Sequence, residues 1–135
     1  MKSILVLFSI IALTWAGKDR DICHCAAFVS LPEGEFIVDL LPDTQIEDCD
    51  DAGYCQIRCT EEWVSASQDG DLDMIVGNST LGQDMCDDLA LEGFHNLEPE
   101  EVNLYYGLCD GPWMDNGLAS IDKLCCNDGV YPGHC

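Results

Sequence analysis

Between residues 22 and 41 the apolar and polar positions form two extended runs separated by a turn. Cys23-His24-Cys25 continues through A-A-F-V-S-L at 26–31 as one strand, and E-F-I-V-D-L-L at 35–41 reads as the returning one. Pro32-Glu33-Gly34 makes a three-residue connection, so the pair is expected as a hairpin. The next concentrated pattern is C-D-D-A-G-Y-C-Q-I-R-C at 49–59, which holds three cysteines. Cys55, Ile57 and Cys59 alternate with Gln56, Arg58 and Thr60, the period of a half-buried strand, and this is the favoured reading. The same stretch keeps a helical alternative, because Cys55, Cys59 and Trp63 stand at i, i+4 and i+8.

After Cys59 the pattern becomes helical. Thr60 followed by Glu61 and Glu62 predicts a helix start, with Trp63, Val64 and Ala66 as its apolar side. Residues 72–76 predict a short strand ending at Gly77. The strongest helix signal follows: Thr80 with Gln83 forms a capping box, Leu81, Met85, Cys86 and Leu89 share one face, and Gly93 occupies the C′ position. Another helix is expected from Pro99, with Glu100 and Glu101 in its first turn and Val102, Leu104, Tyr105 and Leu108 for packing. Residues 110–117 are turn-rich, and Ser120 predicts the cap of a short helix reaching Cys125. Strands ahead and helices behind make the expected fold a small disulfide-rich α+β domain, an N-terminal β-hairpin followed by short helices.

Cysteine usage sets the compartment. Lys2, an apolar run over 4–13 and the small residues around Thr14-Trp15-Ala16 predict a signal peptide over 1–16 and a single secreted, acidic, cysteine-rich domain over 17–135. All ten cysteines (Cys23, Cys25, Cys49, Cys55, Cys59, Cys86, Cys109, Cys125, Cys126 and Cys135) fall in the exported part. An even number in such a chain implies five disulfides. Close neighbours cannot bridge each other without strain, so Cys23 and Cys25, like Cys125 and Cys126, are each expected to reach two different elements. Zinc at Cys23-His24-Cys25 or at His134-Cys135 is the alternative use of these ligands, disfavoured by an oxidising compartment.

Charge narrows the partners. Among 135 residues, 26 Asp and Glu oppose 5 Lys and Arg, for a net charge of −21. Such a surface repels phosphate backbones and anionic lipids, which argues against nucleic acid and membrane insertion and favours a basic protein partner or calcium.

Candidate sites are few. Asp69, Asp71 and Asp73 form a D-x-D-x-D run that resembles the opening of an EF-hand loop, which makes them a weak calcium candidate. Met74 stands where that loop needs glycine, and Thr80 where it needs glutamate. Glu47, Asp48, Asp50 and Asp51 make a second acidic knot, and Asp84, Asp87 and Asp88 a third; the crowding in both is expected to raise some carboxyl pKa values unless cations bind nearby. Asn78-Ser79-Thr80 is an N-glycosylation sequon. Tyr106 and Trp113 are the candidates for a partner-facing patch. No G-x-S-x-G, H-E-x-x-H or P-loop is present, and no cofactor is expected. The leading expectation is a secreted non-enzymatic binding or effector protein of signalling, inhibitor, venom-type or matrix role. The alternatives are a calcium- or mineral-associated matrix protein and a small hydrolase using a carboxylate with His95 or His134.

Overall fold

The computed structural model describes residues 21–135. The expected signal peptide over 1–16 lies outside these residues. The chain enters as β1 (Ile22–Leu31), turns at Pro32-Glu33 and returns as β2 (Gly34–Leu40). The hairpin is therefore as expected, except that its connection is two residues long: Gly34 already pairs with Leu31. Val38 is the extra residue of a bulge, since Ala27 faces Asp39 and Phe28 faces Ile37. A short β3 (Thr44–Gln45) pairs with the start of β1.

The segment with three cysteines then departs from the favoured strand. It forms α1 (Ala52–Ser67), which buries Cys55, Cys59, Trp63 and Ser67 at every fourth position and leaves Ile57 59% exposed. Asp51 caps the helix by accepting from the Tyr54 amide at 3.1 Å. Thr60, expected to begin a helix, lies in its middle, where its hydroxyl bonds back to the Gln56 carbonyl.

The helix wins because two disulfides match its pitch to that of β1. Cys23 joins Cys55 and Cys25 joins Cys59. Two residues along a strand advance ~6.7 Å and four along a helix ~6 Å, so both bridges close side by side without moving either element. This corrects the expectation that Cys23 and Cys25 reach different elements: both reach α1. Cys125 and Cys126 do diverge, to Cys135 and to Cys86. The fifth bridge, Cys49–Cys109, ties the loop ahead of α1 to the residue after a later strand. All ten cysteines are thus paired.

The hairpin β4 (Ile75–Val76) and β5 (Ser79–Thr80) leads into α2 (Leu81–Leu91), which begins as expected with the Thr80 hydroxyl accepting from the Gln83 amide at 3.1 Å. Gly93, at φ 91°, takes the C′ position. From here strands replace the two expected helices. They are β6 (Leu97–Glu100), β7 (Asn103–Leu108), β8 (Trp113–Ala119) and β9 (Leu124–Cys126). Burial of Val102, Leu104 and Tyr106 follows a period of two, which outweighs the helix-start signal at Pro99. Ser120 uses its hydroxyl to accept from the Val102 amide and donate to the Asp122 carbonyl, so it pins strands instead of capping a helix.

The main sheet is antiparallel in the order β2-β1-β7-β8, with β3 on β1, and β6 pairs with β9 separately. Cys23, Cys25, Ala27 and Val29 of β1 join Val38, Leu104 and Tyr106 in one core with Cys55, Cys59 and Trp63 of α1 and Met85, Cys86 and Leu89 of α2. Both helices therefore pack on one face of the sheet. Tyr131 of the tail closes the far edge: its amide donates to the Gln83 side chain, and its ring covers Gly82, where a Cβ would stand 2.6 Å away.

Candidate functional site

The uncovered face of the main sheet carries the first candidate surface. Residues of β1 that alternate with the core positions are His24, Ala26, Phe28 and Ser30, and strand register places Ile37 and Leu40 of β2, Tyr105 of β7, and Trp113 and Asp115 of β8 beside them. Phe28 is the centre: Tyr105 and Trp113 meet it edge-on at ring-centroid distances of 4.9 and 5.2 Å. Such contacts orient the rings as well as excluding water. Trp113 is 37% exposed and also meets the His24 ring at 6.3 Å.

Carboxylates rim this cluster. His24 Nδ1 lies 2.9 Å from Asp43 Oδ1, and Ser30 donates to Glu35 at 2.7 Å. Burial, then the charges of Glu35 and Asp115, push the Tyr105 phenol above its ordinary pKa. No Lys or Arg lies in any of the five strands of this sheet.

The expected pair Tyr106 and Trp113 is thereby split. Tyr106 faces the core opposite Cys25 and is 8% exposed, so the partner-facing expectation does not stand for it. Tyr105 takes the outward position that the sequence assigned to its neighbour. A strand inverts faces at each residue, and reading 99–108 as a helix concealed that parity.

A second candidate lies on the helix side, where β2, α2 and the β4–β5 hairpin enclose a groove of about 330 Å³. Val38, Leu41, Leu81 and Met85 supply its buried apolar wall, and the exposed Ile75 and Val76 form its lip. Asp39 points to this side of β2, toward Asp84 and Asp88, which are one turn apart on α2. Burial raises the Asp39 pKa, and Asp88 and Asp84 raise it further. Asp88 is itself raised by partial burial, then by Asp84 and Asp87. The sequence foresaw crowding in the Asp84, Asp87 and Asp88 knot but not Asp39, which only the sheet brings there. Among the described residues the ion pairs are His24–Asp43, Arg58–Glu61 and Arg58–Glu62, so no cation neutralises this cluster.

The Asp69, Asp71 and Asp73 run forms the loop leaving α1. Gln68, Asp69 and Gly70 have φ of 48°, 65° and 100°. Gly70 is required there, since a Cβ would stand 2.9 Å from the Ala119 carbonyl oxygen. Asp71 accepts from the Asp73 amide at 3.0 Å, and Asp73 accepts from the Tyr131 hydroxyl at 3.1 Å. Burial and this bond with Asp73 push the Tyr131 pKa up to about 12.

Among the described residues, only Cys23–Cys55–Cys59 and Asp21–Cys49–Cys109 bring three metal-ligating atoms within 4.8 Å of one another. The three loop carboxylates therefore do not converge as a calcium site would need, because two of them are turned to local hydrogen bonds. The sulfurs of both groups are in disulfides and offer no thiolate.

Asn78 occupies the exposed tip of the β4–β5 hairpin, after Gly77 at φ 67°. His95 and His134 are both exposed. His134 shares a shallow depression with Glu98, and neither histidine is ion-paired to a carboxylate among the described residues. His24, which the sequence offered as a zinc ligand, stands at the aromatic cluster with Asp43. No helix of the described residues is long and apolar enough to cross a membrane. The five bridges mark a small disulfide-rich protein of an extracellular, oxidising setting. Set against known proteins, the chain matches no family model, no curated protein and no solved structure.

Proposed function

We propose that the protein is a secreted, non-enzymatic binding protein that engages a basic partner protein through the open face of its main sheet. The observation that carries this reading is the Phe28–Tyr105–Trp113 cluster, exposed at Trp113 and rimmed by Glu35, Asp43 and Asp115. Aromatic faces attract Lys and Arg side chains, carboxylates beside them add charge-assisted hydrogen bonds, and rigid rings lose little entropy on binding. The net charge of −21 would steer such a partner in from solution.

Calcium binding by Asp69, Asp71 and Asp73 is the weaker reading, because it would first have to break the Asp71–Asp73 and Asp73–Tyr131 hydrogen bonds. An N-linked glycan at Asn78 is compatible with the basic-partner reading: the hairpin tip lies on the helix side, away from the aromatic cluster.

The test is titration with an Arg- and Lys-rich peptide. Of the three tryptophans, Trp15 belongs to the expected signal peptide and Trp63 is buried, so in the protein without residues 1–16 a fluorescence change on binding reports on Trp113 and the open face. The expected result is a salt-sensitive change in that fluorescence and about a tenfold weaker complex for Trp113→Ala, the size of a typical anchor residue. The thermal melt of the variant should stay close to that of the parent. Absence of binding at low salt, or binding equally strong in Trp113→Ala, would overturn the proposal.

A further inference from the structure

We propose that the groove between β2, α2 and the β4–β5 hairpin is a separate binding site for a small organic cation: an ammonium group on an aliphatic or aryl body. The walls specify the body. Val38, Leu41, Leu81 and Met85 are almost fully buried, whereas Ile75 and Val76 at the lip, and Leu40 in the lining, are left open to water. A volume of about 330 Å³ lies at the small end of ligand pockets, which run from ~300 to ~1,000 Å³. It suits a molecule of several carbons and not a folded partner.

The charge at the groove specifies the head. Asp39 and Asp84 line it, and Asp88 stands one turn further along α2. These three carboxylates repel one another in a partly desolvated position with no ion-paired basic side chain among the described residues to offset them, and an ammonium placed between them would remove that cost.

An anionic head is excluded by the same geometry. The start of α2 would be the natural anion site, but its amides are taken: Leu81 donates to the Met74 carbonyl, Gly82 to the Leu72 carbonyl and Gln83 to the Thr80 hydroxyl. A fatty acid would meet apolar walls and then carboxylates. A neutral alcohol would gain the walls alone.

The experiment compares hexylamine, hexanol and hexanoate, all at neutral pH, by calorimetry and by chemical-shift changes at Met85 and Val76. Hexylamine is expected to bind, hexanol to bind about tenfold more weakly and hexanoate not at all, because a hydrogen-bonded charge pair is worth roughly that factor. The Asp39→Asn/Asp84→Asn double variant should lose the preference for amine over alcohol while keeping its circular dichroism. Hexylamine should shift the Met85 and Val76 signals at concentrations that leave the Trp113 indole signal in place, which separates this site from the open sheet face. Equal binding of hexylamine and hexanol, retention of amine preference in the double variant, or shift changes confined to residues outside the groove would each overturn the proposal.

Discussion

Along β1, residues that face the helices and residues that face away differ in how they are held. Cys23, Cys25, Ala27 and Val29 are fully buried, and the two cysteines are bonded to α1. His24, Ala26, Phe28 and Ser30 alternate with them; Ala26 and Phe28 are buried too, Phe28 beneath the rings of Tyr105 and Trp113, while His24 and Ser30 meet the carboxylates of Asp43 and Glu35. The sealed face fixes the backbone, and that fixed backbone sets the positions of the aromatic rings on the open face. Binding by the open side therefore costs little ordering, because the ordering has been done by the other side.

The largest effect should come from cutting the link between the faces. Replacing both Cys25 and Cys59 by Ala removes one of the paired staples and is expected to cost ~2–5 kcal/mol of stability, read from urea midpoints. The remaining Cys23–Cys55 bridge allows the chain to be tested for folding. Peptide binding at Trp113 should weaken in step with stability; unchanged stability would show that the Cys23–Cys55 bridge and packing already hold α1 on the sheet without the second staple.

The next test sets two leucines of the same sheet against each other. Leu104 lies on the sealed face at 0% exposure and Leu40 on the open face at 68%. Leu104→Ala should cost ~2–5 kcal/mol through the cavity it leaves, whereas Leu40→Ala should stay within ~0.5 kcal/mol. Similar losses for the two would erase the distinction between the faces.

Asp39 is the exception on the helix-facing side, and it should produce the smallest effect, with opposite sign. Its pKa is raised in the folded protein, so the folded state holds this proton more tightly than the unfolded chain. Stability associated with Asp39 is then greatest below its unfolded pKa and is lost as pH rises through the folded value. Asp39→Asn should therefore raise the melting temperature at pH 7, with the gain shrinking as pH falls toward the ordinary aspartate range. A lowered melting temperature at pH 7 would show that the carboxylate has a partner worth more than the repulsion it suffers.

Legibility from sequence divided along the same physical lines. The hairpin of β1 and β2 and the start of α2 were readable because their signals are local: alternation, a Pro-Glu-Gly turn, a Thr80–Gln83 box and Gly93. The segment around Cys55 was not, because its residues satisfy a period of two and a period of four together, and only the partners of its cysteines choose between them. Residues 99–108 carried a helix-start signal that sheet pairing with β1 overrode. That error moved Tyr106 to the surface and Tyr105 to the core, the reverse of their places.

What the chain order alone determined was covalent and electrostatic: ten cysteines to be paired, a large excess of carboxylates, a mixture of strands and helices, and Trp113 as an outward aromatic. These depend on residue type and near neighbours, which any single stretch displays. Tertiary structure decided which sulfurs meet, which face of β7 is inside, and that Asp39 from β2 joins Asp84 and Asp88 from α2. Each of those is a contact between residues far apart in sequence, fixed by strand register and helix pitch, and no local pattern encodes such a distance.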